Sequence, residues 1–542
     1  MVSRRSFISS AAAMSGVAIG GALIGCATAP ADGIAATANS ADFGPVTVKP
    51  GDRRYSDLVV GDNQRWVGSP ESVRIVGSTS QVVDAVQEAV RTGRRLAVRS
   101  GGHCYEDFVS NSDVQMIIDM SGMSAVYFDA KMQAFAIEPG ARLLAVYENL
   151  YKGWGVTIPG GRCYSVGAGG HICGGGDGPL SRRFGPVVDH LYAVEVVVAD
   201  ASGKVRSVVA TREENDPNHE LWWGHTGAGG GNFGVVTKYW MRSSGVNADD
   251  DPSRLLPSPP ANVLLTGQSF AWSELDLGKF GRLLKNYSSW HERNSAPDSP
   301  GVAVVCSLSL NHRSNGNVSM FVEVDGSVSN AEQLLTDFVN EIRDGVTPPG
   351  PVNFQRLPWL QSARYLSTNA PLLTNPTLRA DHKSAYHRKA FTDADIATIY
   401  RFLTATDVSN PNAMLVLIPF GGNINSIRPD ATAFPHRNSV LQALYQSFWS
   451  DGSDDAKNLK WVRDFYGSVY AATGGVPILN DSTDGCYINY ADVDLSDPAF
   501  NHSGVAWHAL YFKDNYPRLQ QIKAKWDPRN VFRHSQSIEL PL

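Results

Sequence analysis

Residues 160–178, Gly-Gly-Arg-Cys-Tyr-Ser-Val-Gly-Ala-Gly-Gly-His-Ile-Cys-Gly-Gly-Gly-Asp-Gly, carry nine glycines in nineteen positions. Each glycine costs a helix interior roughly 1 kcal/mol against alanine, so the run predicts irregular backbone and no helix. Glycine is used where the chain takes positive φ or lies close against another surface. Successive backbone N–H groups in such a loop can cradle an anion, and a pyrophosphate-bearing ligand suits that surface. One thiol, Cys163, stands near the head of the run.

A chain of 542 residues exceeds one ordinary core, so two or more domains are expected. Hydrophobic residues at 43% and charged residues at 18% describe a globular, enzyme-like protein. A net charge of −6, with no basic run beyond the N-terminus, argues against a nucleic-acid partner. The six cysteines (Cys26, Cys104, Cys163, Cys173, Cys306 and Cys486) form no CxxC pair, and no metal site is expected.

Residues 1–38 resemble a twin-arginine export signal: Ser3-Arg4-Arg5-Ser6-Phe7-Ile8 precedes an apolar run of small residues. Leu23-Ile24-Gly25-Cys26 also resembles a lipobox, which would tie the chain to a membrane through Cys26; cleavage near Ala36-Thr37-Ala38 is the unlipidated alternative. Discounting Cys26 leaves an odd number of cysteines, the mark of a thiol with another task. Residues 39–65 read as a linker.

Helical spacing of Val82, Val86, Ala89 and Val90 is followed by a short strand, Leu96-Ala97-Val98, and the loop Arg99-Ser100-Gly101-Gly102-His103. Ala134–Ile137 alternates as a strand, and Leu143, Val146, Tyr147 and Leu150 mark a helix. A third glycine loop, residues 224–234, formally contains GxGxxG at Gly229, Gly231 and Gly234. That motif must open a helix, whereas Val235-Val236-Thr237-Lys238-Tyr239-Trp240 is β-branched and aromatic, so a Rossmann site is excluded. Asp249-Asp250-Asp251-Pro252 and Pro257-Ser258-Pro259-Pro260 suggest a boundary near residue 244. The expected organisation is an α+β domain over 66–243, a second α/β domain over 244–475, and a C-terminal segment over 476–542 that returns to the first.

Five motifs in order resemble the berberine-bridge-enzyme-like FAD-linked oxidases. They are Arg99-Ser100-Gly101-Gly102-His103; Cys163 with Val166-Gly167-Ala168-Gly169-Gly170-His171; Gly230-Gly231-Asn232-Phe233-Gly234-Val235; Tyr487-Ile488-Asn489-Tyr490-Ala491-Asp492; and the tail Asp527-Pro528-Arg529-Asn530-Val531-Phe532. The resemblance covers residues 65–542. It implies a two-part FAD-binding domain of the vanillyl-alcohol-oxidase type and a substrate domain whose antiparallel sheet is covered by helices. The third loop is similar to the microbial branch, which includes oligosaccharide oxidases and oxidases of antibiotic-type metabolites.

Carried over by position, the resemblance implies FAD bound covalently through His103 and Cys163. Arg99, Ser100, Gly101, Gly102, Val166, Gly167, Gly169, Gly170, His171, Gly175, Gly231, Asn232, Val235 and Asn489 would line the cofactor. Tyr490 is the implied general base, with Tyr487 and Tyr386 as further catalytic candidates, and valine at 166 is implied to admit oxygen. A phenol with an ordinary pKa near 10 needs neighbouring positive charge or hydrogen-bond donors to act as a base at neutral pH. Cys104 and Cys173 are expected to be packing residues. Many relatives have proline where this chain has Tyr164 and an aromatic where it has Asp177. The expected activity is oxidation of a hydroxyl-bearing carbon of a sugar or glycosylated metabolite, with O2 as acceptor. A dehydrogenase, an oxidative cyclase or a non-catalytic flavin-binding protein are the alternatives.

Overall fold

The structure, a computed structural model, describes residues 43–542; the expected export signal and Cys26 lie outside the described residues. Residues 43–542 fold around three sheets. The first comprises β1 (Val46–Val48), β2 (Ser72–Ile75), β3 (Leu96–Arg99) and β4 (Met116–Asp119), in the order β1-β2-β4-β3. Strand β4 runs parallel to both β2 and β3. The helix Thr79–Thr92 bridges β2 and β3, capped by Ser78 and ended by Gly93 in the left-handed region. Its apolar stripe of Val82, Ala85, Val86 and Ala89 is buried, as the spacing requires.

Strand β1 corrects the sequence reading. Val46–Val48 lies within the expected linker, yet it pairs antiparallel with β2 and buries Val48. Three residues are too few to show a period, and the pairing partner lies more than twenty positions away.

The second sheet joins β5 (Val126–Asp129), β6 (Ala134–Ile137), β7 (Leu191–Ala199), β8 (Val205–Thr211) and β9 (Val235–Met241), in the order β5-β6-β9-β7-β8. The third glycine loop therefore ends in a central strand, β9, and opens no helix.

The third sheet is wholly antiparallel. Its strands are β10 (Asn262–Ala271), β11 (Val304–Asn311), β12 (Asn317–Asp325), β13 (Gln355–Pro358), β14 (Arg379–His387), β15 (Ala413–Pro419) and β16 (Leu441–Trp449). They lie in the order β13-β10-β12-β11-β15-β16-β14. Period-two alternation divides its residues between two faces. Cys306, Leu308, Leu310, Leu415, Leu417, Ala443 and Tyr445 enter a core roofed by the helices Leu277–Arg293, Ala331–Arg343, Asp393–Leu403 and Asp455–Val469. Each fully buried leucine or phenylalanine there is worth roughly 1.5–3 kcal/mol. Ser307, Ser309, Asn311, Val416, Ile418, Gln446 and Phe448 face the opposite way, towards a cavity shared with the first two sheets. None of the helices among the described residues is long and apolar enough to cross a membrane.

The glycine run holds one more surprise. Ala168–Cys173 is a short helix containing Gly169 and Gly170, where no helix was expected. Tertiary contact outweighs propensity here. A Cβ on Gly169 would stand 3.0 Å from Ser100 Cβ and 3.1 Å from Pro139 Cβ, and the Gly169 N–H donates to Pro139 O at 3.0 Å. The helix lies against Ser100 and Pro139 at a distance that only glycine allows.

Candidate active site

The cavity has a volume of about 950 Å³, near the upper end of the roughly 300–1,000 Å³ typical of ligand sites. Its walls are the Arg99–Cys104 loop, the 161–171 run, the 228–235 loop, residues 487–491, and the polar-lined face of the third sheet. Two of these loops touch backbone to backbone. A Cβ on Gly101 would lie 2.2 Å from Gly167 N, and one on Gly167 would lie 2.3 Å from Gly101 N. Glycine at both positions lets the His103 and Cys163 loops meet. Ser100 clasps the junction, its hydroxyl donating to Pro139 O at 2.5 Å.

His103 and Cys163 are thereby presented to one cavity. His103 Nε2 lies 2.9 Å from Ser165 Oγ, and Cys163 Sγ lies 3.5 Å from the same oxygen. Burial, with Arg142 nearby, lowers the His103 pKa to about 4, so the imidazole is neutral and keeps a lone pair for bonding. Asp62, at 3.5 Å from His103 Nδ1, is pushed up to about 6 by burial. All five described cysteines are free thiols. Cys173 contacts Tyr239 Oη at 2.9 Å, while Cys104, which also lines the cavity, is raised to about 12 by burial and is a poor nucleophile.

Of the remaining expected cofactor residues, Arg99, Ser100, Gly101, Gly102, Val166, Gly167, Gly169, Gly170, His171, Gly231, Asn232, Val235 and Asn489 all line the cavity. Arg99 serves structure there, with its guanidinium held by Asp119 and the carbonyls of Leu58 and Val60. Asn232 Oδ1 accepts from Ile538 N at 2.8 Å, fastening the third loop to the tail. Gly175 departs from expectation: it does not line the cavity but turns at φ +115° against the Phe434 ring.

The three tyrosines separate clearly. Tyr490 lines the cavity, half-buried, with its ring stacked on Tyr105 at 5.4 Å. No hydrogen bond to its hydroxyl forms among the described residues. Burial, with Tyr105 and Asp177 nearby, raises its pKa well above the ordinary value. The cationic neighbour that would lower it is not found among the described residues. Tyr487 is locked: its oxygen accepts from Gly176 N at 3.0 Å and Asn489 Nδ2 at 2.9 Å, and the Asp177 carboxyl stands beside it. Tyr386 corrects the expectation that it projects towards a substrate. It lies on the same face of β14 as the cavity-lining His382, but Tyr487 and Phe434 cover it and its hydroxyl accepts from Gln442 Nε2 at 3.1 Å.

Sequence reasoning missed Tyr105, which stacks between His382 and Tyr490, and the sheet residues Ser307, Ser309, Asn311 and Gln446. No local motif marks them; only the sheet pairing shows that they share one face.

The family described as berberine and berberine-like matches residues 486–539, and the family described as FAD binding domain matches residues 70–208. The chain is 46% identical to aclacinomycin-N/aclacinomycin-A oxidase of Streptomyces galilaeus, over 99% of this chain and 98% of that protein. The chain belongs to the berberine-bridge-enzyme-like FAD-linked oxidases. It is also 31% identical to hexose oxidase of Chondrus crispus, over 90% of this chain and 93% of that one. The solved structure of a glycopeptide hexose oxidase complexed with teicoplanin superposes with a TM-score of 0.86 at 48% identity, covering 92% of this chain and 99% of that one.

The fold is thus the α+β, vanillyl-alcohol-oxidase type, and the protein is an FAD-dependent oxidoreductase that uses oxygen as acceptor. The cavity fits that cofactor on its own geometry. A Cβ built on Gly170 or Gly230 would meet no atom within 4 Å, so each looks into space that an elongated dinucleotide can fill. Backbone N–H groups at such glycines suit its pyrophosphate.

Proposed function

We propose that this protein is an exported oxidase, carrying FAD on both His103 and Cys163, that converts a hydroxyl-bearing carbon of a sugar or glycosylated metabolite to a ketone or lactone. The observation that carries the reading is the convergence of His103, Cys163 and the unpartnered Tyr490 hydroxyl on one cavity. FAD bound there supplies a two-electron acceptor that O2 reoxidises, with H2O2 as the by-product.

The chain's own residues supply position and proton transfer. The neutral His103 imidazole and the Cys163 thiol offer the two nucleophilic atoms that attachment needs. Tyr490 holds the substrate hydroxyl and, as the phenolate that alkaline pH populates, takes its proton as the carbon gives up hydride; its oxygen is free for that contact, whereas those of Tyr487 and Tyr386 are engaged. Polar Ser307, Ser309, Asn311 and Gln446 across the cavity are suited to sugar hydroxyls. Val166, half-buried on the cavity wall beside Cys163, leaves room for oxygen that a longer side chain would fill. The relatives named for aclacinomycin, hexose and glycopeptide substrates support the substrate class. Export rests on Ser3-Arg4-Arg5-Ser6-Phe7-Ile8 and the apolar run after it.

Denaturing the purified holoenzyme decides the attachment. Retained yellow colour, with flavin mass on the peptides holding His103 and Cys163, is the expected result. Release of all flavin into the supernatant refutes bicovalent attachment.

A further inference from the structure

Asp177 stands at the Tyr490 end of the cavity, and its charge is unanswered. Every arginine that lines the cavity is already engaged. Arg99 is held by Asp119, Arg162 by Glu323 at 3.3 Å, and Arg533 by Asn530 O at 2.8 Å. Arg182 donates to the carbonyls of Asn294, Gly301 and Val304. No salt bridge to Asp177 forms among the described residues; it lines the cavity with Tyr487 and Tyr490 as neighbours.

The Tyr487 contact has a fixed direction. A phenol has one proton and two lone pairs. Gly176 N–H and the Asn489 amide fill the lone pairs, so the one thing Tyr487 can offer the neighbouring Asp177 carboxyl is its proton. Tyr487 therefore favours the ionised carboxylate and orients it, while leaving most of its acceptor sites open to the cavity. The rings of Tyr487 and Tyr490 meet edge to face at 5.0 Å, which places this carboxylate within one side chain of the proposed base.

We infer that Asp177 is a substrate-recognition residue and that it takes a protonated amine on the sugar ring, beside the hydroxyl served by Tyr490. The inference rests on the reading that this end of the cavity holds the oxidised hydroxyl. A half-buried carboxylate without a cation is costly, and burial raises its pKa to about 6, which still leaves it ionised at neutral pH. An ammonium restores the missing charge and forms a hydrogen bond roughly twice as strong as a neutral donor forms. The Ser307, Ser309 and Asn311 wall has no charge to compete for it.

The test is anaerobic titration calorimetry of the holoenzyme with the methyl glycosides of 2-, 3- and 4-amino hexoses, each against its hydroxyl parent. At least one amino glycoside should bind tenfold or more tighter than its parent. Asp177→Asn should bring that ratio to within about twofold, with the flavin absorption spectrum showing an intact cavity, and Asp177→Glu should restore part of it. The inference is overturned if no amino glycoside outbinds its parent, or if the preference survives in Asp177→Asn. Flavin retention and peroxide formation are measured on the same samples. Their presence without an amine preference removes this inference alone; an amine preference without them removes the oxidase reading alone.

Discussion

His103 and Cys163 share one hydrogen-bonding partner, the Ser165 hydroxyl, at 2.9 Å from Nε2 and 3.5 Å from Sγ. This hydroxyl holds both side chains from two different loops in the orientation they present to the cavity. Ser165→Ala should lower the rate of covalent flavin incorporation by up to about tenfold, the worth of one hydrogen bond of about 1.4 kcal/mol. The fraction of flavin retained after acid precipitation, followed over time, measures it.

Tyr490→Phe removes the one tyrosine hydroxyl of the three that is free to meet a substrate. The turnover number should fall by about 10²–10⁴-fold, the usual range for a positioned base, with KM changing far less. Because burial raises the Tyr490 pKa above its ordinary value, the wild-type rate should climb as pH rises through the alkaline range. Tyr490→Phe should flatten that climb, as stopped-flow flavin reduction at several pH values will show.

Gly170 offers a test that separates folding from cofactor binding. It sits inside the helix Ala168–Cys173, and a Cβ there would meet nothing within 4 Å. Gly170→Ala should therefore stabilise the cofactor-free protein, by up to about 1 kcal/mol from helix propensity. It should also lower flavin occupancy, since the methyl occupies the open space. Thermal unfolding and the flavin-to-protein absorbance ratio should move in opposite directions. Gly101→Ala, which drives a Cβ into Gly167 N, should lower both.

Asp484 ties the end of β14 to the tail. Its fully buried carboxylate accepts from Arg388, Lys513 and the Ser439 hydroxyl. Burial alone would raise its pKa, but His436 and Lys513 outweigh this and hold it below the ordinary carboxylate range. A depressed folded pKa stabilises above the unfolded value near 3.9, and that stability is lost as pH falls below it. Asp484→Asn should cost about 3–5 kcal/mol at neutral pH by stranding Lys513, and should remove part of the acid sensitivity below about pH 4. Urea midpoints at pH 7 and at about pH 2.5, below the unfolded value, would register both effects.

The local parts of this fold were legible in the sequence because their signals are local. Val82, Val86 and Ala89 mark the helix 79–92, and the β-branched run after Gly234 marks β9 against the GxGxxG pattern. The cavity wall was legible through motifs, as residues from Arg99 to Asn489 meet around one space. What escaped depends on distant partners. β1 needs β2, the helix 168–173 needs Pro139, and Gly175 turns away because Phe434 stands beside it. The choice between Tyr487 and Tyr490 rests in part on one hydrogen bond spanning 311 positions of chain, from Gly176 to Tyr487. Ser307 and Ser309 look like any alternating strand until β15 and β16 show which side faces the cavity.

The cavity wall begins at Asp62 and is finished by His534, and Ile538 and Lys523 pin the third glycine loop through Asn232. A nascent chain still on the ribosome thus has no place to keep the cofactor. Holding the cofactor is therefore a property of the finished chain, because the wall and its fastening draw on residues from Asp62 to Ile538.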